Sequence, residues 1–264
     1  MCSVGAPVSV LGRDTEIAIE LLFDDVEFRY GRSRKRAIER LTWRVPQGRT
    51  VLLGPNGAGK STLLALGAGA FTPQRGRVRL GDLDSVRRHD RAEFRRSVGY
   101  MAQDIRPVPG LTCREQVAYA AWLKGMSTRG AWDAAFQALG AVGLTQVADR
   151  SSSEVSGGQL RRVGLAQTLV HDARVILLDE PTVGLDPAQR AHFRESLATL
   201  PGDPAVVVST HQVDDLTELY DSVVVIRDGR LCFEGSVEAF MSQAPHASDR
   251  PVEAAYLRVI ESAR

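Results

Sequence analysis

The sequence predicts an α/β protein with a mostly parallel sheet at its core, an antiparallel β subdomain before it and an inserted α-helical subdomain. Two observations support this fold class. Short, uninterrupted apolar runs such as residues 175–178 have the composition of strands buried on both faces. These runs alternate with segments of helical periodicity, and alternating strands and helices imply a parallel sheet.

Length and charge limit the class of protein. The 264 residues suffice for one well-buried α/β domain with an insert, or for two small domains. With 33 basic and 32 acidic residues the net charge is +1, so no nucleic acid or anionic membrane is expected as a partner. The basic clusters at residues 32–36 and 87–96 are interpreted as solvated faces. Cys2, Cys113 and Cys232 lack metal-ligand spacing, which favours a reducing compartment.

Both ends of the chain are predicted to lie outside the main domain. Residues 1–16, rich in Gly, Pro and Ser, are interpreted as a flexible leader, and they lack the basic and apolar segments of a signal peptide. Residues 241–264 are expected to form a short helical tail. No apolar stretch approaches the ~20 residues that cross a bilayer. The chain is therefore expected to be soluble, with another polypeptide supplying any membrane span.

The predicted antiparallel piece comes first along the chain. Residues 17–30 and 41–45 alternate between apolar and polar side chains, and a polar, basic turn at residues 31–36 joins them. The apolar run at residues 49–53 then predicts a buried strand, and an apolar helical run begins at Leu63.

The helical insert is predicted at about residues 104–160. Its first helix covers residues 112–124, where Thr112 and Glu115 form a capping-box pattern and Gly125 offers a stop. Further helices are predicted at residues 131–142 and after Ser156. Strands of the core are predicted at residues 98–102, 175–178, 205–209, 223–226 and 231–233. Asp228 and Gly229 predict a tight hairpin before the last strand.

The stretch GPNGAGKST, residues 54–62, carries the strongest functional signal. It lies between a predicted strand and a predicted helix, which is the context that a nucleotide phosphate site requires. Its glycines allow consecutive backbone N–H groups to surround an oxyanion at a helix N-terminus. Lys60 is suited to the β- and γ-phosphates and Ser61 to Mg²⁺, while a glycine-rich turn that happens to precede a helix is the alternative. The predicted loop residues are Gly54, Pro55, Asn56, Gly57, Ala58, Gly59, Lys60, Ser61 and Thr62.

Four further segments follow this loop. They are Gln103; Ser156, Gly157, Gly158 and Gln159; residues 175–180 with Pro181, Thr182, Gly184, Leu185 and Asp186; and Ser209, Thr210 and His211. Each alone is a weak signal, but in this order and with the phosphate loop the chain resembles the ATP-binding subunit of an ABC transporter over about residues 17–240. The SGGQ segment separates this family from other P-loop ATPases. The resemblance implies a P-loop NTPase with a RecA-like core, and ATP and Mg²⁺ as ligands.

Three residues near the predicted strand ends are candidates for hydrolysis. Asp179 ends a buried strand at the carboxyl edge of the sheet, where a carboxylate can hold Mg²⁺ through water. The resemblance implies that Glu180 is the general base and that His211 binds the γ-phosphate and aligns the water and the base. An acidic strand end and a surface histidine are the alternatives.

Two further residues are assigned by position. The resemblance implies that Gln103 lies at the hinge between the core and the helical insert, where it senses Mg²⁺ and water and reports to the membrane partner. Tyr30 follows a strand and precedes a glycine, like the aromatic residue that stacks on adenine in the family. An ordinary tyrosine at a strand end is its alternative.

The SGGQ segment predicts a second anion site. Ser156 is placed as the N-cap of a helix, so its hydroxyl, the N–H groups of Gly157 and Gly158 and the helix dipole face outward, with Gln159 completing the segment. One chain carries one phosphate loop, so the second site must serve a nucleotide held by another chain. The resemblance implies a head-to-tail homodimer, or a heterodimer with a second cassette, in which Asp186 lies between the two sites.

Three positions depart from the family pattern, namely Val155, Gln167 and Cys113, and none belongs to the predicted catalytic set. The chain is therefore expected to be an active ATPase. It is expected to lie in the cytoplasm, on the inner face of the membrane, and to drive a membrane-spanning permease subunit. The style of the C-terminal tail favours export, by analogy alone. A non-transport ABC ATPase acting on ribosomes or DNA, and a nucleotide-controlled binding module without turnover, are the alternatives.

Overall fold

The fold is taken from a computed structural model, which describes residues 20–31, 35–200, 202–211, 216–245 and 250–262. The predicted leader, residues 1–16, and residues 32–34 of the basic turn lie outside the described residues. The strands are β1 (Leu21–Phe28), β2 (Ile38–Arg44), β3 (Arg49–Leu53), β4 (Arg75–Leu80), β5 (Leu83–Asp84), β6 (Val98–Met101), β7 (Val175–Asp179), β8 (Ala205–Ser209), β9 (Ser222–Arg227) and β10 (Arg230–Ser236). The helices are α1 (Lys60–Gly67), α2 (Arg91–Ser97), α3 (Cys113–Leu123), α4 (Thr128–Ala141), α5 (Gly157–Leu169), α6 (Pro187–Ala198), α7 (Leu216–Leu219), α8 (Val237–Met241) and α9 (Pro251–Ser262).

The core is a six-stranded sheet in the order β10-β9-β3-β8-β7-β6. The five strands from β9 to β6 are parallel to their neighbours, and β10 pairs antiparallel with β9. Every residue of β7 and β8 is buried, which explains their uninterrupted apolar sequences. The predicted mostly parallel α/β core is confirmed.

A second sheet contains four antiparallel strands in the order β2-β1-β4-β5. The predicted antiparallel subdomain is confirmed, and the rings of Phe23 and Trp43 stack across β1 and β2 with centroids 5.6 Å apart. The first described strand begins at Leu21, and residues 17–19 of the predicted strand lie outside the described residues. Strands β4 and β5 and helix α2 were not predicted.

The helical insert contains α3, α4 and the start of α5. Thr112 caps α3 in the predicted capping box with Glu115, and Gly125 follows the helix with φ +93°, a conformation that favours glycine. Helix α4 begins at Thr128, earlier than predicted, because Ser127 caps it by accepting from the Gly130 N–H at 3.1 Å.

Helix α9 packs on the face of the core formed by β3 and β9. Ala255 and Val259 are buried there against Leu53 and Val225, and Arg227 Nη1 donates to the carbonyl of Ile260 at 2.6 Å. In the part of the chain that the structure describes, no helix combines the length and apolarity needed to span a membrane.

Candidate functional site

The candidate site forms where three parallel strands of the core end. Leu53, Asp179 and Ser209 are the last residues of β3, β7 and β8. Because these strands are parallel neighbours in the order β3-β8-β7, the segments that follow them leave the same edge of the sheet. Ligands of open α/β sheets bind at this edge.

The phosphate loop connects β3 to α1, as predicted. Gly59 has φ +107°, and a Cβ atom there would lie 2.5 Å from the carbonyl oxygen of Ala37, so only glycine fits. The Lys60 ammonium is buried and donates to the carbonyl of Gly54 at 2.8 Å. A second carbonyl, that of Pro55, lies 3.4 Å from it. The loop thus holds one buried cation against its own backbone.

Glu180 lies at the centre of the site, and each of its two carboxylate oxygens approaches a different side chain. Its Oε2 is 2.9 Å from His211 Nδ1, and its Oε1 is 3.7 Å from Lys60 Nζ. Glu180 is only 7% exposed and has φ +47°, which is rare for a residue other than glycine. The structure therefore brings together the predicted phosphate-binding lysine, the predicted base and the predicted histidine.

Ser209 connects the two acidic residues, a role that the sequence analysis missed. Its fully buried hydroxyl donates to Asp179 Oδ1 at 2.7 Å and accepts from the backbone N–H of Glu180 at 2.9 Å. The Ser209 carbonyl is also 3.1 Å from that N–H. The available signal was a hydroxyl residue at the end of a buried strand. On the other side, burial and the nearby Asp179 charge raise the pKa of Tyr100 to about 12, so its phenol stays protonated.

A cavity of about 610 Å³ opens in front of the phosphate loop. It is lined by Tyr30, Lys35, Arg36, Ala37, Pro55, Asn56, Gly57, Ala58, Gly59, Lys60, Ser61, Thr62, Gln103 and Glu180. Lys35 and Arg36, the described part of the basic turn, are exposed, as predicted for a solvated face, and they also border the cavity. Cations at this position favour an anionic ligand.

Tyr30 stands at the mouth of this cavity and is 50% exposed. Its hydroxyl is 2.9 Å from Thr62 Oγ1 at the start of α1. The ring makes edge contacts with Phe28 and Phe71, at centroid distances of 5.1 and 5.7 Å. These contacts hold the ring in place, so an adenine could stack on it only from the exposed side.

The SGGQ segment caps α5, as predicted, but does not line this cavity. Ser156 Oγ accepts from the Gln159 N–H at 3.2 Å, and Gln159 Oε1 accepts from the Ser156 N–H at 2.9 Å. Ser156 and Gly157 are exposed, whereas a Cβ atom on Gly158 would lie 2.4 Å from the side chain of Gln189. None of the described residues that line the cavity belongs to this segment.

Asp186 and Gln103 occupy the segments around the SGGQ helix. Asp186 is the N-cap of α6, and its Oδ1 accepts from the Gln189 N–H at 2.8 Å. Gln103 follows β6, is exposed and lines the cavity. Its backbone carbonyl accepts a hydrogen bond from Arg161 Nη1 on α5.

The residues predicted to hold Mg²⁺ offer oxygen donors of the kind this ion prefers. Ser61 provides a hydroxyl and Gln103 a carboxamide at the cavity, and Asp179 provides a carboxylate, 2% exposed, at the end of β7. Hydroxyl, amide and carboxylate oxygens match a hard cation. This donor set fits Mg²⁺, with the phosphates of a nucleotide completing its shell.

A phosphate loop between a parallel strand and a helix, with a buried acidic pair on a nearby strand, defines a P-loop nucleotide-binding ATPase. Residues 38–183 match the family model described as ABC transporter. The chain belongs to the ABC transporter family and is one of its ATP-binding proteins, an ATPase.

Two named relatives and one solved structure illustrate this similarity. The chain is 38% identical over 211 residues, 78% of its length and 75% of the relative's, to the cobalt import ATP-binding protein CbiO of Rhodobacter capsulatus. It is 33% identical over 195 residues, 72% of its length, to the molybdenum import ATP-binding protein ModC of Brucella suis, of which the match spans 53%. The fold matches the dimeric structure of MJ0796, a bacterial ABC transporter cassette, with a TM-score of 0.74, 24% identity and coverage of 82% and 98% of the two chains.

Proposed function

We propose that this ATPase binds MgATP and works as a head-to-tail pair of cassettes that drives transport through a separate membrane-spanning subunit. The observation that carries the proposal is the position of Glu180. Its buried carboxylate accepts from His211 and approaches Lys60 directly beside the phosphate loop. A general base must be positioned within reach of the water that it activates, and a fixed carboxylate here meets that need.

The proposed steps follow from this geometry. Lys60 leaves the loop carbonyls and binds the β- and γ-phosphates, because an ammonium forms stronger hydrogen bonds with charged phosphate oxygens than with neutral carbonyls. Glu180 then accepts the proton of the attacking water, while His211 keeps the carboxylate aligned through its Nδ1. Because Glu180 and Lys60 are buried, their interactions with the reacting phosphate are weakly screened by water.

Mg²⁺ would be held by the Ser61 hydroxyl, the Gln103 carboxamide and, through water, the Asp179 carboxylate. When bound, it neutralises charge that develops on the phosphate oxygens. Tyr30 is proposed to stack on the adenine, because its ring is half-exposed at the mouth of the cavity and is held by its hydrogen bond to Thr62.

The pairing of two chains is proposed from the orientation of the SGGQ segment. Ser156 and Gly157 are exposed and, within their own chain, contribute nothing to the lining of the phosphate cavity. A helix N-terminus with free N–H groups suits an anion. We assign this anion as the γ-phosphate of a nucleotide on a second copy or a second cassette, with Asp186 between the two sites.

The direction of transport has two candidates. The sequence analysis favours export, by analogy with the C-terminal tail. Import is favoured by the similarity to two relatives that are import ATP-binding proteins, one for cobalt and one for molybdenum. In both cases the cassette would lie on the inner face of the membrane, bound to a permease subunit. Flux of labelled solute into inside-out vesicles that contain the complex distinguishes the two, because accumulation there corresponds to export.

Phosphate release by the purified full chain tests the proposal. We expect release that requires MgATP and stops when Mg²⁺ is chelated. Lys60→Ala should abolish both release and ATP binding by calorimetry, because it removes the charge that faces the β- and γ-phosphates. Near-normal ATP affinity of this variant would contradict the phosphate-loop assignment. Binding of parental ATP without release would favour the nucleotide-controlled binding module, and stimulation by ribosomes or DNA would favour the non-transport ATPase.

A further inference from the structure

We propose that Arg161 is a positioning residue that ties the Gln103 segment and the loop after Glu180 to the helix that presents Ser156. The inference rests on the proposed two-chain ATPase. It concerns a residue for which the sequence analysis gave no role. Arg161 lies on α5, five positions after the N-cap Ser156.

The guanidinium of Arg161 spans two segments of the nucleotide site. Nη1 donates to the carbonyl of Gln103, and Nη2 donates to the carbonyl of Val183 at 3.2 Å. Gln103 lines the phosphate cavity, and Val183 lies three residues after Glu180, where its N–H donates to the Glu180 carbonyl at 3.3 Å. One side chain therefore bonds the backbones of both segments.

Close packing on either side of Arg161 strengthens this connection. A Cβ atom on Gly164 would lie 2.8 Å from the side chain of Ile105, so the segment after Gln103 rests directly on α5. Gly158 makes the equivalent close approach to Gln189 on α6. Helix α5 thus contacts the segment after Gln103 at Gly164 and the first turn of α6, which follows the Val183 loop, at Gly158.

The chemistry of the position favours arginine. Its fork offers donors in two directions, so it can serve two separate carbonyls at once, whereas a lysine is a single point charge. Burial lowers the pKa of Arg161, and the charges of Asp104, Asp179 and Glu180 act in the opposite direction. The group stays charged, and its charge is attracted to the acidic end of the site.

This arrangement gives the N-terminal cap of α5 and Arg161, one turn further on, different tasks. The exposed N-terminus is proposed to receive the γ-phosphate held by the partner, and Arg161 transmits any displacement of this helix to two carbonyls of its own nucleotide site. Occupancy of one composite site would then alter the alignment of Gln103 and Glu180 in the other. The coupling needs no contact between the two nucleotides.

Arg161→Gln tests the proposal, with Arg162→Gln as the matched control. Arg162 is the next residue of α5 and donates to the carbonyl of Val142 in the helical insert at 3.1 Å, far from either nucleotide segment in sequence. For Arg161→Gln we expect an unchanged KM for ATP and a kcat that is reduced by up to about 10-fold. A misplacement of ~1 Å can cause a loss larger than this. Hydrogen exchange should accelerate at residues 103–106 and 182–185 but not at the phosphate loop.

The control should keep kcat within about twofold of the parent and change exchange only near Val142. The exchange measurement needs no turnover, so it tests Arg161 even if the parental chain releases no phosphate and the proposed function fails. Parental kcat together with unchanged exchange in both segments of Arg161→Gln would overturn the proposal. Equal effects of the Arg161 and Arg162 variants would also overturn it, because they would indicate a loss of helix stability alone.

Discussion

Glu180 combines a strained backbone with a fully engaged side chain. Its φ of +47° is unfavourable for a residue with a Cβ atom, by about 1–3 kcal/mol. The backbone N–H of Glu180 is held by the hydroxyl and the carbonyl of Ser209, which compensates part of this strain. In this backbone conformation the carboxylate points toward His211 and Lys60.

The first prediction concerns the carboxylate itself. Glu180→Gln keeps the size of the side chain but removes the base, so phosphate release should fall by about 10²–10⁴. The reduced negative charge near the triphosphate should let the two-nucleotide dimer accumulate, seen as dimer mass in light scattering with MgATP and monomer mass without it. Glu195→Gln, an exposed acid on α6, serves as the control and should keep parental turnover. Parental turnover of Glu180→Gln would require another base.

The second prediction concerns the hydroxyl of Ser209. Ser209→Ala leaves a buried carboxylate oxygen of Asp179 and the Glu180 N–H with fewer partners, which should lower the free energy of unfolding by about 1–3 kcal/mol. If the hydroxyl also orients the acidic pair, half-maximal phosphate release should need more Mg²⁺. Ser209→Thr, which keeps the hydroxyl, should restore the Mg²⁺ dependence.

A buried hydroxyl elsewhere provides the control for this second prediction. Among the described residues, the Thr168 hydroxyl bonds the carbonyl of Gly164 in its own helix, at 2.9 Å, and Thr168 is 2% exposed. Thr168→Ala should therefore lower stability without changing the Mg²⁺ dependence. An unchanged Mg²⁺ requirement in Ser209→Ala would reduce Ser209 to a structural role.

The two ends of helix α5 lie in different surroundings. Its N-terminus at Ser156 is exposed and capped reciprocally with Gln159, whereas its C-terminus leads into a turn at His171, whose ring nitrogens are buried. Nearby, Lys124 at the end of α3 donates to the carbonyl of Val98 at 2.8 Å. Burial and the neighbouring Arg95 charge lower the pKa of Lys124 to about 8. This junction between the insert and the start of β6 thus buries two titratable groups.

The third prediction follows from the pKa of His171. Burial chiefly, and the Lys124 charge in addition, lower this pKa to about 4. Between pH 6.5 and 4 the unfolded chain binds a proton at this residue and the folded chain does not, so stability is lost as the pH falls through this range. His171→Gln should lack this loss, worth about 1–3 kcal/mol in urea unfolding. His192→Gln, at an exposed site, should follow the parent, and parallel curves for all three chains would contradict the assignment.

At the level of the whole chain, periodicity predicted the elements whose burial is uniform. Strands β3 and β8 match their predicted ranges because each is buried along its length after a short polar boundary. The β4 strand was missed although Arg75, Arg77 and Arg79 alternate with Val78 and Leu80, because two apolar residues after a glycine are a weak strand signal. Its pairing is decided by partners on β1 distant in sequence, with Arg79 bonding Asp24 and Arg75 bonding Asp25.

In the candidate site, too, features that depend on residues close in sequence were predicted, and features that depend on distant residues were missed. The phosphate loop and the cap at Ser156 depend on residues close in sequence, so patterns predict them. The conformation of Glu180 depends on Ser209, 29 residues away, and the Arg161 bonds join residues separated by 58 and 22 positions. Such contacts arise only when the sheet order brings β7 and β8 together and α5 packs against β6.

The fourth prediction tests whether a complete site needs two chains. Ser156→Arg places a long cation where we propose that the partner's γ-phosphate docks, so monomeric chains should bind ATP normally but phosphate release should fall to background. Ser127→Arg is the matched control, since Ser127 is likewise an exposed helix N-cap, with its hydroxyl 3.1 Å from the Gly130 N. Both changes should cost about 1 kcal/mol of stability through the lost cap, so stability alone cannot separate them.

Only the Ser156 variant should lose turnover, and only it should stay at monomer mass when combined with Glu180→Gln in MgATP. That combination separates assembly from chemistry, because Glu180→Gln alone is expected to accumulate as the closed dimer. If Ser156→Arg releases phosphate at the parental rate, the exposed helix N-terminus does not serve a nucleotide on another chain. If both arginine variants lose turnover equally, the loss follows from the missing cap and the composite site is contradicted.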